Sequence, residues 1–182
     1  MNELDRLKQY PATAKQRQFE WDFAKGAENY EVWDEIEIGA TGDGVQTFRI
    51  EEEDVVSFNT ASLETDPAMV EADHARQSGG LIPHPLFVVS IAFYCIETGM
   101  GSWIRTPGAS NPGQRIELFE PFRVGEEISA RITHKDKWIR RGRCYLEDQW
   151  DFYNEHGTLK ATWHVRLLVP RSRDKITEFQ AL

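Results

Sequence analysis

Leu86-Phe87-Val88-Val89-Ser90-Ile91-Ala92-Phe93-Tyr94-Cys95-Ile96 is the longest apolar run in the chain. Pro83 and Pro85 stand just before it. A proline fits the first turn of a helix, where the N–H it lacks would have no partner. Gly99 and Gly101 follow and stop the run. The stretch therefore reads as a helix. It is apolar on nearly every face, which predicts burial all round. It is too short to span a bilayer. One buried helix in a chain of 182 residues needs other structure wrapped around it.

The C-terminal half supplies the wrapping. Arg115 to Glu120 and Glu127 to Thr133 alternate apolar and polar residues, the period of a half-buried strand. Arg143 to Tyr153 and Leu159 to Leu168 read as longer strands rich in aromatic and β-branched residues. Pro121, Gly125, Gly142 and the Asn154-Glu155-His156-Gly157 turn separate them. Val45 to Ile50 alternates as well, giving one strand ahead of the helix. Acidic residues from Glu51 to Asp54 open a helix running to Ser62, at the end where the helix dipole favours negative charge. Glu64 to Gln77 has no clean period and reads as irregular with a short helix. Ser78-Gly79-Gly80 reads as a turn. The predicted fold class is α+β, a curved antiparallel sheet wrapped around a central buried helix. Residues 1–30 are expected to form a polar arm whose Phe19, Trp21 and Phe23 dock on the domain or on a second subunit. Residues 31–182 are expected to form one domain.

Charge narrows the partners. Lys and Arg total 21 against 30 Asp and Glu, a net charge of −9. Such a chain is a poor candidate for wrapping a nucleic-acid backbone. Arg140-Arg141-Gly142-Arg143 is a local basic cluster that reads either as a solvated turn or as a contact for ligand phosphates. Cys95 and Cys144 have no paired spacing, so neither a disulfide framework nor a zinc site is expected. With no apolar leader at Met1-Asn2-Glu3-Leu4-Asp5-Arg6, a cytoplasmic protein with no membrane contact is expected.

Ahead of the helix lies Ser62-Leu63-Glu64-Thr65-Asp66-Pro67-Ala68-Met69-Val70-Glu71, then Gly79-Gly80-Leu81-Ile82-Pro83-His84-Pro85. This frame, with Ser62, Pro67, Glu71 and Ala75 in place, resembles the MaoC-like hot-dog family. That family comprises the (R)-specific enoyl-CoA hydratases and 3-hydroxyacyl-thioester dehydratases. The resemblance covers residues 35 to 170. It implies a hot-dog fold, a dimer, an acyl-CoA or acyl-carrier-protein thioester as ligand, and no cofactor.

Hydration of an enoyl thioester needs a base, an acid and a donor for the enolate oxygen. The resemblance places Glu64 where active members carry Asp, and Met69 where they carry His. It places Pro85, which has no N–H, where they carry a helix-start Gly. The chain resembles the dyad-lacking N-terminal halves and partner subunits of the family. It is read first as a substrate-binding member, paired with itself or with a catalytic hot-dog subunit. A self-sufficient hydratase using Glu64 and His84, and a non-enzymatic acyl-CoA binder, are the alternatives. His84 itself reads either as a substitute acid or base or as a loop-fixing hydrogen bonder. Asp66, Gly80, Leu81, Ile82, Arg140, Arg141 and Arg143 complete the expected substrate contacts. Asp66 has a second reading as a turn or cap residue.

Overall fold

The structure, a computed structural model, describes residues 13–15, 29–95, 100 and 102–181. The Phe19, Trp21 and Phe23 cluster of the expected arm, and the helix stop at Gly99 and Gly101, lie outside the described residues. In chain order the regular elements are strands β1 (Thr41–Asp43) and β2 (Phe48–Arg49), then helices α1 (Glu52–Ala61), α2 (Pro67–Val70), α3 (Ala72–Ala75) and α4 (Phe87–Cys95). Strands β3 (Ser110–Leu118), β4 (Glu127–Arg140), β5 (Arg143–Tyr153) and β6 (Leu159–Val169) follow, and helix α5 (Ile176–Gln180) ends the series. The described residues fall into two bodies. The smaller contains Arg49–Phe87 and Pro121–Glu126, and the larger contains Val88–Glu120 and residues from Glu127 onward.

The larger body is built on a six-stranded sheet in the order β1-β4-β5-β6-β3, with β2 also on β4. Its core face follows the alternation read from the sequence. Ile128, Ala130 and Ile132 of β4 are buried, as are Leu146, Trp150 and Phe152 of β5 and Trp163, Val165 and Leu167 of β6. Helix α4 packs on this face through Phe93, whose ring centroid lies 6.5 Å from that of Trp163 and 6.2 Å from that of Trp103. Trp150 and Trp163 meet at 5.8 Å.

Three expectations are corrected. The helix is not buried all round. Phe87, Val88, Ile91, Ala92 and Cys95 are buried, while Val89, Ser90, Phe93 and Tyr94 are half-buried. The fully buried residues cluster on one stripe, with Phe93 packed beside it on Trp163, and a uniformly apolar sequence conceals which stripe that is. The strand over Val45 to Ile50 shrinks to Phe48–Arg49, and an unforeseen strand forms at Thr41–Asp43. The reason is where the intervening N–H groups go: Gly44 donates to the Ala130 carbonyl at 2.7 Å and Val45 to the Cys95 carbonyl at 3.1 Å. A side chain at position 44 would press on the Cys95 carbonyl, since a Cβ there would come within 3.1 Å.

The third correction is in β4, which runs on past Thr133 to Arg140. Its register with β5 shifts between His134 and Asp136. This β-bulge changes the parity of the strand. Lys137 now lies opposite the buried Leu146. Its ammonium donates to the Trp33 and Ile36 carbonyls at 3.0 and 2.8 Å, and sits 4.4 Å from the Trp33 ring centroid.

In the smaller body α1 starts with a reciprocal capping box. The Glu51 side chain accepts from the backbone three residues on, and Asp54 accepts from the Glu51 N–H at 3.0 Å. Lys15 also hydrogen-bonds Asp54 and the Arg49 carbonyl. Among the described residues, no helix is long and apolar enough to cross a membrane.

Candidate functional site

Asn59 organises the loops of the smaller body. It is fully buried near the end of α1. Its side-chain amide donates to the Met69 carbonyl at 2.8 Å and the Ile82 carbonyl at 3.1 Å. Its side-chain oxygen accepts from the His84 N–H at 2.7 Å, and its own carbonyl accepts from the Glu64 N–H at 3.0 Å. One residue thus ties together the loop after α1, the end of α2 and the approach to α4. Sequence reasoning missed it. The available signal was an Asn inside a helix, where Asn is a weak helix former that tends to bond nearby backbone instead.

The sequence-predicted residues of this body lie on those tied loops. Glu64 is half-exposed, and its Oε1 accepts from the Thr65 and Asp66 N–H groups at 2.8 and 3.1 Å. The carboxylate is folded onto its own loop. Asp66 caps α2 by accepting from Ala68 N–H at 2.9 Å, and Pro67 takes the first helical position. That is the cap arrangement expected of it as a turn residue. Met69 is half-buried, and its carbonyl is held by Asn59. Gly79 and Gly80 have φ of +102° and +96°, the left-handed region that glycine enters without strain. Gly80 N–H bonds the Ala75 carbonyl at 2.8 Å. Leu81 is buried and Ile82 exposed.

His84 and Pro85 precede α4. Pro85 carries no N–H. The Leu86 N–H donates to His84 Nδ1 at 3.1 Å, and the Phe87 N–H donates to the His84 carbonyl at 2.8 Å. His84 therefore occupies the first donors of the helix from within. An Nδ1 that accepts leaves the ring proton on Nε2, so the neutral ring offers a donor there and no acceptor. The His84 ring packs near Phe58, 6.1 Å between centroids.

Arg140, Arg141 and Arg143 belong to the larger body. Arg141 and Gly142 both have positive φ, +52° and +76°, and make the two-residue turn joining β4 to β5. All three arginines are exposed.

The larger body also holds an ionisable pair that the sequence did not reveal. His134 Nδ1 and Asp148 Oδ1 are 2.6 Å apart, with 5% and 0% of the residues exposed. His134 Nε2 lies 3.5 Å from Glu31 Oε1. The other Asp148 oxygen, Oδ2, has no hydrogen-bond partner among the described residues. Burial pulls the imidazole pKa down. The hydrogen bond and charge of Asp148, and the charge of Glu31, outweigh burial and the opposing charge of Lys137, so the net shift is upward. Burial raises the Asp148 carboxyl pKa, against the hydrogen bond and charge of His134. The two residues are fourteen apart in sequence, and only the register of β4 on β5 brings them together. Among the described residues no group of His, Cys, Asp and Glu could hold a metal ion.

No protein-family profile matches the chain. An (R)-specific enoyl-CoA hydratase from Rhodospirillum rubrum is 28% identical over 89 residues, which are 46% of this chain and 57% of that protein. The chain therefore spans little more than half the length of that relative. A MaoC-like dehydratase structure from Rhodospirillum rubrum superposes with a TM-score of 0.65 at 18% identity, covering 78% of this chain and 98% of that one. The C-terminally truncated HadBC (3R-hydroxyacyl-ACP dehydratase) complex from Mycobacterium tuberculosis includes a chain with a TM-score of 0.62 at 19% identity, covering 74% and 98%. The fold is the hot-dog fold, with its antiparallel sheet and central helix.

Proposed function

We propose that this chain, a member of the MaoC-like hydratase and dehydratase family, binds acyl thioesters and leaves the proton chemistry to a partner subunit. The observation that carries the reading is the start of α4. Pro85 has no N–H, and the N–H groups of Leu86 and Phe87 are both taken by His84. An enolate oxygen developing there would find no donor from these residues, and such a donor is often the largest single contribution to catalysis of this type.

The acid–base side supports the same reading. Met69 cannot carry a proton. Glu64 spends an oxygen on its own loop, and His84 serves as the helix cap. Protonating His84 Nδ1 would cost the Leu86 hydrogen bond, so a catalytic cycle through this ring would loosen the helix start at each turnover. The thioester carrier would be coenzyme A or an acyl carrier protein. The partner would be a second copy or a catalytic hot-dog subunit, as in complexes such as HadBC, whose chain shares this fold.

The test is hydration of a panel of enoyl-CoAs by the purified protein, followed at the enone band, with acyl-CoA binding measured by calorimetry in parallel. Binding without turnover is expected. Turnover that collapses in Glu64→Gln would overturn the proposal and make the chain a self-sufficient hydratase.

A further inference from the structure

We infer that the larger body holds a second site, at the β4–β5 turn, which takes a phosphorylated ligand of the nucleotide type. A cavity of about 450 Å³ opens there, within the usual range for small-molecule pockets. Its floor is apolar. Ile139 of β4 pairs with Cys144 of β5, and Cys144 pairs with Val169 of β6. Directly paired residues share a face of the sheet, so these three form a row across three strands. Phe179 of α5 adds an aromatic ring at the side. That ring lies against Gly108, where a Cβ would come within 3.2 Å of it. Ile139 is half-exposed, an apolar residue left uncovered beside an arginine-rich turn.

The rim is cationic: Arg143, Arg171 and Lys175 line it, with Glu178. Lys175 pairs with Glu178 at 2.8 Å, and Arg171 with Asp34 at 3.5 Å. Both are exposed pairs of the kind worth little in water, so an arriving dianion can displace them. Two guanidinium forks and an ammonium suit a phosphate better than a single carboxylate, because the fork meets two phosphate oxygens at once. The apolar row and the Phe179 ring suit the planar base of the same ligand. Burial pushes the Cys144 thiol pKa up, which keeps it neutral and makes it part of the floor rather than a nucleophile. A concentration of cations in one rim stands out on a chain of net charge −9. Arg140 and Arg141, which the sequence grouped with Arg143, do not line this cavity.

Two sources carry this chemistry: a free nucleotide, and the adenosine phosphate half of coenzyme A. Calorimetric titration of the full chain with inorganic phosphate, AMP, adenosine 3′,5′-bisphosphate and coenzyme A separates them. Salt-sensitive binding of the adenosine phosphates, well above inorganic phosphate, is expected. Arg143→Ala and Arg171→Ala should each weaken it about tenfold, the loss of one charge-assisted contact, while Arg140→Ala changes it less than about twofold. A preference for the bisphosphate and coenzyme A over AMP assigns the site to the coenzyme, and equal or better AMP binding assigns it to a free nucleotide. No binding, equal affinity for inorganic phosphate, or an Arg140→Ala loss as large as that of Arg143→Ala overturns the inference. Acyl-pantetheine, which has no nucleotide, gives an independent readout: its binding in the arginine variants reports on the thioester reading alone.

Discussion

Asn59 and the His134–Asp148 pair are both buried and polar, and they behave oppositely. Asn59 is neutral, and its side chain makes three hydrogen bonds to backbone. The pair is ionisable, and one Asp148 oxygen has no partner among the described residues. A satisfied neutral group fixes geometry at every pH. A buried ionisable pair carries a desolvation cost that geometry alone does not remove, and it makes stability depend on proton concentration. The first device suits a place where loops must be held in position. The second introduces a sensitivity that the sheet does not need for packing.

The sharpest way to break this contrast is Asn59→Ala. It would strand the Met69 and Ile82 carbonyls and the His84 N–H without their partner. A loss of about 3 kcal/mol in chemical denaturation is expected, from several buried groups left unpaired, with little dependence on pH. A pH-dependent loss would mean that Asn59 acts through a titrating neighbour.

The second prediction concerns the pair itself. Both folded-state pKa values lie above the unfolded ones, so the folded pair holds its proton more tightly. The His134 contribution is present in full below the ordinary imidazole value of about 6.5 and is lost as pH rises through the raised value. The Asp148 contribution is likewise present in full below about 3.9 and is lost as pH rises through its own raised value. Stability should therefore fall as pH rises from about 6.5 through the raised imidazole value, by at most about 1.4 kcal/mol per pH unit for one proton. His134→Gln should flatten the slope over that window. A wild-type profile that is level or rising there would show that the pair does not control the proton balance.

The smallest effect is expected at Asp66. Asp66→Ala removes the cap of α2 and should cost about 1 kcal/mol. It sharpens the comparison because this cap is exposed, so its loss should be smaller than that of Asn59→Ala. Equal losses would mean that the loop stands or falls as one unit.

Strand β5 and the first half of β4 could be read from the sequence because period and burial agree there, and the helix from its unbroken apolar run, whereas β3, read as Arg115 to Glu120, starts at Ser110 and buries no residue. The β5 boundaries, Arg143 to Tyr153, match the structure to the residue. Strand β1 could not be read, because Thr41-Gly42-Asp43 is too short to show a period. The far half of β4 was hidden by its bulge. At the candidate site the sequence named Glu64, Asp66, Met69, His84 and Pro85, but not what holds them. Asn59 acts through backbone groups of loops whose approach no local pattern encodes. His134 and Asp148 become neighbours only once a register is chosen. His84 reads two ways in the sequence, and the hydrogen bond its Nδ1 accepts from the Leu86 N–H could not be foreseen there.

The bulge in β4 makes that strand a sentence in two metres. Up to His134 the even-numbered residues face the core, and from Lys137 the odd-numbered ones do. Pressing every residue into an unbroken ladder would turn Trp138 inward and send Lys137 out, leaving the Trp33 and Ile36 carbonyls without their ammonium. The length of this strand is therefore set by an odd residue that the pairing itself does not use.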